Sequence, residues 1–169
     1  GDLAGAEVLA RQAADDYRQK KIAIGEVYAL ATQARLLFDL GRTADATQAA
    51  ARERALAGEI DSVQVRAEIA ATLALARAVD GDASGAVRDL EAAIAESARL
   101  HLIDTNLVQR LVLARLERSR GRRGESRRVL SALETEARRR GYRELVREIQ
   151  AQRAAKVALS RGRGRGAQK

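Results

Sequence analysis

Glycine recurs every forty residues in this chain, at Gly1, Gly41, Gly81 and Gly121, and a charged residue follows each glycine. Small residues keep the same register. Alanine stands seven positions before three of the glycines, and alanine or serine stands five positions after all four. A period of this length, with helical patterns on both sides of the turn, is typical of a helical repeat in which each hairpin packs against its neighbours.

The residues around these glycines have a helical pattern. Ahead of Gly41, apolar residues fall three and four positions apart, at Val27, Leu30, Ala34 and Leu37, which is the spacing of one helix face. Proline is absent and aromatic residues make up 2% of the chain, a composition that favours helices over strands. The sequence therefore predicts an all-α fold, a right-handed α-solenoid of antiparallel helical hairpins with about seven helices.

Three complete hairpins are predicted, with a partial unit on each side. In each hairpin we call the helix before the glycine the first helix and the helix after it the second helix. Candidate N-caps are Thr43, then Asp61 or Ser62, then Asp104 or Thr105. The predicted division is a repeat domain over 1–160, with a half repeat at 2–20, full repeats at 23–59, 62–101 and 104–140 and a capping helix at 143–160, followed by a basic Arg/Gly tail at 161–169.

The half repeat at 2–20 aligns only with a second helix, because Gly1 aligns with Gly41 and Ala6 with Ala46. We therefore expect an array that continues towards the N-terminus in a longer protein. The apolar face of this helix, around Leu9, is then a surface that a preceding helix would cover, or one that pairs with a second copy of the chain.

Pairs of small residues twelve positions apart enclose each turn: Ala34 with Ala46, Ala74 with Ala86, and Ala114 with Ser126. This pattern resembles the tetratricopeptide repeat over nearly the whole chain. Three features depart from that family. The period is forty instead of about 34 residues, the proline that ends the second helix is missing, and the large aromatic position holds Leu30, Ala70 or Arg110. The chain also looks like the C-terminal helical arrays of large bacterial signalling and regulatory proteins.

The resemblance implies a groove, lined by the first helix of each hairpin, that holds an extended or helical segment of a partner. An exposed aromatic residue flanked by charges would mark such a groove. The alternative is that Tyr28 and Phe38 are ordinary packing residues. The groove positions carried over by register are Tyr28, Arg35, Phe38, Asp39, Glu68, Leu75, Val79, Val108, Arg115 and Arg118.

The two parts of the chain differ in charge. Residues 1–100 carry 12 basic and 16 acidic side chains, residues 101–169 carry 19 and 7, and the net charge is +8. A basic region attracts acidic partners, whether proteins or nucleic acids. The nucleic-acid hypothesis places contacts on a basic patch of Arg127, Arg128, Arg138, Arg139, Arg140, Arg161, Arg163 and Arg165.

Each part of this patch has a simpler interpretation. The arginines at 127–128 and 138–140 suit solvated helix faces and helix C-termini, and no aromatic residue is interleaved among them for base stacking. The tail resembles the arginine–glycine segments of RNA-binding proteins. However, residues 160–163 also repeat the Ser-Arg-Gly-Arg of residues 119–122, which indicates a degenerate repeat turn.

The composition argues against catalysis. Cysteine is absent and His101 is the single histidine, so neither a Cys-His pair nor a multi-histidine metal site can form. His101 is expected near the end of a second helix, packed or in contact with solvent. The carboxylate pairs Asp15/Asp16 and Glu134/Glu136 point in different directions on a helix. We predict no catalytic residues, no metal and no cofactor.

No apolar run approaches the roughly 18 residues that a membrane-spanning helix needs, so a soluble, cytoplasmic protein is expected. Three hypotheses remain: a protein-interaction module, a nucleic-acid binder, and a connecting or self-associating segment. We favour the non-catalytic interaction module, because the repeats account for most of the chain and the basicity for only one part of it.

Overall fold

The computed structural model describes residues 2–154, which form helices joined by short turns and contain no strand. The prediction of an all-α fold built from helical repeats is confirmed. The described residues form eight helices rather than about seven: α1 Leu3–Gln19, α2 Ala23–Asp39, α3 Thr43–Ala57, α4 Val63–Val79, α5 Ala83–Arg99, α6 Ile103–Ser119, α7 Arg123–Arg140 and α8 Arg143–Ala154. The end of the predicted capping helix and the basic tail lie outside the described residues.

The repeated glycines end the first helices, as the sequence predicts. Gly41, Gly81 and Gly121 have φ angles of 74°, 102° and 82°, a left-handed conformation that side chains with a Cβ disfavour. After Gly41, the amide of Arg42 donates to the carbonyl of Leu37 at 3.0 Å, the bond that closes a helix C-terminus. A Cβ at these three glycines would meet no atom within 4 Å. The conformation, and not the space, therefore requires glycine here.

Three of the second helices end in the same way, but two of them do so without glycine. Lys21, His101 and Gly141 occupy one register and have φ angles of 57°, 56° and 79°. Asp61 holds the fourth position of this register, but α3 ends earlier, at Ala57, with Gly58 in a right-handed conformation. The connection between α3 and α4 is therefore different from the others.

The N-cap residues of the second helices alternate between aspartate and arginine. Asp2 and Asp82 cap α1 and α5, since their carboxylates accept hydrogen bonds from the amides of Gly5 and Gly85, both at 2.8 Å. A Cβ at Gly5 or Gly85 would lie 2.3 Å from the capping carboxylate, so cap and glycine occur together. In α3 and α7 the N-cap position holds Arg42 or Arg122, which makes no side-chain cap hydrogen bond.

The predicted caps of the other helices are partly right. Ser62 caps α4, with its hydroxyl accepting from the amide of Val65 at 3.3 Å. Thr43 is the first helical residue of α3 and not its N-cap. Helix α6 begins at Ile103, so Asp104 and Thr105 lie inside its first turn.

The chain divides into two compact units, Gly1–Gln109 and Arg110–Lys169, and the division falls within α6. In the first unit, α1 packs on α2, α2 on α3, α3 on α4 and α4 on α5, while α2 also packs on α4. First helices of successive hairpins therefore lie side by side. The core shared by α2, α3 and α4 contains Val27, Ala57, Val65 and Ile69.

The paired small residues are buried, as their spacing predicts. In the first unit Ala34, Ala46 and Ala86 have no exposed surface and Ala74 is almost as fully buried. Side chains of this size allow the two helices of a hairpin to approach closely. In the second unit α7 packs on α8, and Ala114, Ser126, Leu130, Leu133, Ala137 and Ile149 are buried.

Candidate functional site

One face of the first unit is formed by first helices only. We call it the first-helix face, and it consists of α2, α4 and the start of α6 up to Gln109. The Arg35 guanidinium lies 3.3 Å from a Glu68 carboxylate oxygen. The other Glu68 oxygen accepts a hydrogen bond from the Thr105 hydroxyl at 3.1 Å. Because these side chains come from three helices, the polar contacts join the helices across the face.

Several of the predicted groove residues are accessible on this face. Tyr28 is 40% exposed and Val79 is 43% exposed, and Asp39 is also exposed. Val108, Arg35 and Glu68 are half-buried. The face therefore combines accessible apolar side chains with an ion pair that is partly shielded from water.

Two predicted groove residues are not accessible. Phe38 and Leu75 are each 5% exposed, because α2 packs against three other helices and α4 against three as well. The packing role that we gave as the alternative for Phe38 agrees with this burial. Arg115 and Arg118 belong to the second unit, where both are half-buried and Arg118 donates to the carbonyl oxygen of Gln152.

A buried carboxyl group in α3 was not anticipated from the sequence. Glu53 has no exposed surface. Its Oε2 accepts from the Thr72 hydroxyl at 2.6 Å, and its Oε1 has no hydrogen-bond partner among the described residues. Burial raises the pKa of Glu53 to about 8, although the Thr72 hydrogen bond and nearby Arg35 oppose the shift. The repeat register could have indicated that Glu53 is buried, because the equivalent positions of the other units hold apolar residues, namely Ala13, Ala93 and Leu133.

The part of the basic patch that the structure describes lies on α7, and all five of its arginines are exposed. Three are paired on the same helix: Arg128 with Glu125, Arg138 with Glu134 at 2.6 Å, and Arg140 with Glu136 at 3.0 Å. Arg127 and Arg139 form no ion pair with a described residue. Arg161, Arg163 and Arg165 lie outside the described residues.

Four arginines from three helices line a cleft of about 680 Å³ in the second unit. We call it the arginine cleft. Arg118 comes from α6, Arg123 and Arg127 from α7, and Arg153 from α8, and the remaining lining residues are Ser126, Leu130 and Ser131. None of the described lining residues is acidic. Sequence reasoning placed Arg127 in the basic patch and Arg118 in the groove, and it missed Arg123 and Arg153.

The first unit contains a cleft of about 550 Å³ lined by α1, α2 and α3, which we call the mixed cleft. Its charges are balanced, because Arg11, Arg42 and Arg52 line it together with Glu7, Asp15 and Asp45. Glu7 is 5% exposed. Its carboxylate accepts from the Gln33 amide at 3.0 Å and lies 3.6 Å from the Arg42 guanidinium.

The remaining sites that the sequence singled out are occupied by structural contacts. Asp15 pairs with Arg18 at 2.8 Å and Asp16 with Lys20 at 2.6 Å. Hydrogen bonds from Arg138 lower the pKa of Glu134, and those from Arg110 lower the pKa of Glu136. His101 is exposed beyond the end of α5.

Within residues 2–154, no three His, Cys, Asp or Glu side chains come together in an arrangement that could hold a metal ion. In the same part of the chain, no helix combines the length and apolarity that crossing a membrane requires.

Comparison with known proteins identified no match. No family model matches the chain, and it matches no curated protein and no solved structure.

Proposed function

We propose that the first unit is a non-catalytic protein-interaction module, which binds a segment or domain of a partner on the first-helix face. The observation that carries this proposal is the contact of Arg35 and Thr105 with Glu68, which holds the three first helices together as one surface. In this proposal the chain is a divergent tetratricopeptide-like array, and it works as a scaffold within a larger cytoplasmic signalling or transcription-regulatory protein of a bacterium.

The side chains of the first-helix face suit recognition of a peptide. Tyr28 and Val79 offer accessible apolar surface, and aromatic residues contribute strongly at interfaces because they bury a large area with few rotatable bonds. The half-buried Arg35 and Glu68 can exchange part of their mutual contact for hydrogen bonds to a partner's backbone or charged side chains. The interaction module is preferred over nucleic-acid binding, because three of the five basic-patch arginines on α7 are already paired with carboxylates.

Site-specific photo-crosslinking tests this proposal. A benzophenone amino acid replaces Tyr28 in one variant and Val79 in another, and a control variant carries it at Glu91, an exposed residue of the second helix α5. In irradiated cells we expect the first two variants to capture the same discrete protein and the control to capture none. Equal capture from all three positions, or capture from none, would contradict the proposal.

A double substitution separates recognition from folding. Arg35→Glu with Glu68→Arg inverts the ion pair but retains it, so the helices stay joined while the polarity of the face is reversed. We expect the yield of the cross-link from Tyr28 to fall and the melting temperature to change little. An unchanged yield would show that this pair takes no part in recognition.

A further inference from the structure

The arginine cleft brings like charges together without a matching carboxylate in its lining. Four arginines from α6, α7 and α8 line a space of about 680 Å³, and like charges that are brought close together repel one another. Two of them have contacts within the second unit: Arg153 pairs with Glu134 at 2.5 Å, and Arg118 donates to the carbonyl oxygen of Gln152. Arg123 and Arg127 form no ion pair with a described residue. The cleft therefore retains excess positive charge.

The mixed cleft shows how the same fold neutralises such a space internally. Arg127 and Arg153 stand 120 residues, or three repeats, after Glu7 and Gln33. In the first unit the Glu7 carboxylate accepts the Gln33 amide in the cleft. At the matching positions of the second unit both residues are arginines, so the described lining of the arginine cleft lacks the carboxylate that Glu7 supplies to the mixed cleft. Residues 155–169 contain no Asp or Glu that could supply it.

The other polar side chains that line the arginine cleft can also donate hydrogen bonds. Ser126 and Ser131 add hydroxyls to its lining. The cleft is therefore complementary to a compact group with several acceptor oxygens.

We propose that the arginine cleft binds the phosphate of a phosphoserine or phosphothreonine in a partner protein. A phosphate monoester carries nearly two negative charges and three acceptor oxygens, which match several guanidinium groups better than one carboxylate does. A peptide is favoured over nucleic acid because none of the described residues that line the cleft is aromatic and could stack on bases. This proposal rests on the interaction function proposed above and adds the chemistry of a second contact.

The test is fluorescence anisotropy with the full chain and a labelled library of short peptides, each with one central phosphoserine, against the same library with serine. We expect the phosphorylated library to bind about tenfold or more tightly, since charge-assisted hydrogen bonds to arginine depend on the phosphate. The test variant is Arg127→Glu with Arg153→Gln, which installs the pair that the mixed cleft already accommodates. We expect it to lose the preference for phosphate.

The matched control is Arg139→Glu with Arg143→Gln, two exposed residues outside the lining of the cleft, with the same change in net charge. We expect it to retain the preference. Equal loss in both variants would attribute binding to overall charge and overturn the proposal. Equal binding of both libraries, or binding of a labelled single-stranded oligonucleotide in place of the phosphopeptides, would also overturn it. None of these outcomes affects cross-linking from Tyr28, so the two proposals fail separately.

Discussion

At the scale of single residues, the most unusual group is the buried carboxyl of Glu53. Its side chain is fully buried, with Thr72 of α4 as its only side-chain hydrogen-bond partner among the described residues. A buried carboxylate without a paired cation is strongly disfavoured, so the group keeps its proton instead. Because its pKa rises from 4.5 to about 8, Glu53 is protonated in the folded protein at neutral pH.

This predicts that the protein loses stability as the pH rises from about 4.5 to about 8. In that window the unfolded chain releases the Glu53 proton and the folded protein holds it, so the free energy of unfolding falls by up to about 1.4 kcal/mol per pH unit. Glu53→Gln keeps a neutral acceptor for Thr72 and should remove this slope. Urea unfolding of both proteins at pH 5, 6, 7 and 8 measures it.

The control for this prediction is Glu59→Gln, which changes an exposed carboxyl near the end of the same helix. It should leave the slope as it is in the unaltered protein. If Glu53→Gln and the unaltered protein show parallel stability profiles from pH 5 to 8, then Glu53 does not hold its proton in the folded state.

At the scale of helices, most of the C-terminal ends share one backbone conformation. Six residues with a left-handed conformation follow helices among the described residues, and four of them are glycines. Lys21 and His101 adopt the same conformation with a side chain attached. Histidine tolerates it better than most residues, yet glycine remains the more stable choice. His101 is therefore less favourable than glycine would be at the end of α5.

We predict that His101→Gly stabilises the protein by about 0.5–1 kcal/mol, because relief of the strained conformation outweighs the greater freedom of glycine in the unfolded chain. The reciprocal substitution is Gly141→His, at the matching position after α7, and it should destabilise by a similar amount. Thermal melts of both variants measure the effect. A lower melting temperature for His101→Gly would mean that the imidazole contributes a contact that outweighs the strain.

At the scale of the whole molecule, unpaired apolar surface is concentrated on α1. Leu9 is 67% exposed, and Leu3 and Val8 on the same helix are also exposed. In a repeat array each helix covers the apolar side of its neighbour, and a face without a neighbour tends to associate with other molecules. The sequence-based expectation that the face around Leu9 meets a further helix or a second copy stays a prediction.

We predict that the purified chain self-associates through this face as its concentration rises. Leu9→Glu places a charge at the most exposed apolar position and should shift the equilibrium towards monomer. Sedimentation velocity over a hundredfold range of concentration, of about 1–100 μM, measures the shift. Gln19→Glu, an exposed position at the other end of α1, is the control with a similar charge and should behave as the unaltered chain does. Identical sedimentation of the two variants would contradict the prediction.

The sequence alone determined the fold class, the helix turns and the buried small residues. Gly41, Gly81 and Gly121 specify where first helices end through their own backbone conformation, and Ala34 and Ala46 specify close packing through their size. These properties act over a few residues, so a linear pattern records them. The same reasoning placed helix starts less well, because Arg42 and Ile103 carry no recognisable signal at those positions.

Tertiary structure decided which side chains share a surface. The periodic pattern could not separate exposed Tyr28 from buried Phe38, because the burial of each depends on how many helices surround that part of α2. It also could not show that Glu53 is buried without an ion pair. The arginine cleft depends on three helices bringing Arg118, Arg127 and Arg153 together, and residues so far apart in the chain become neighbours only when packing aligns the helices that carry them.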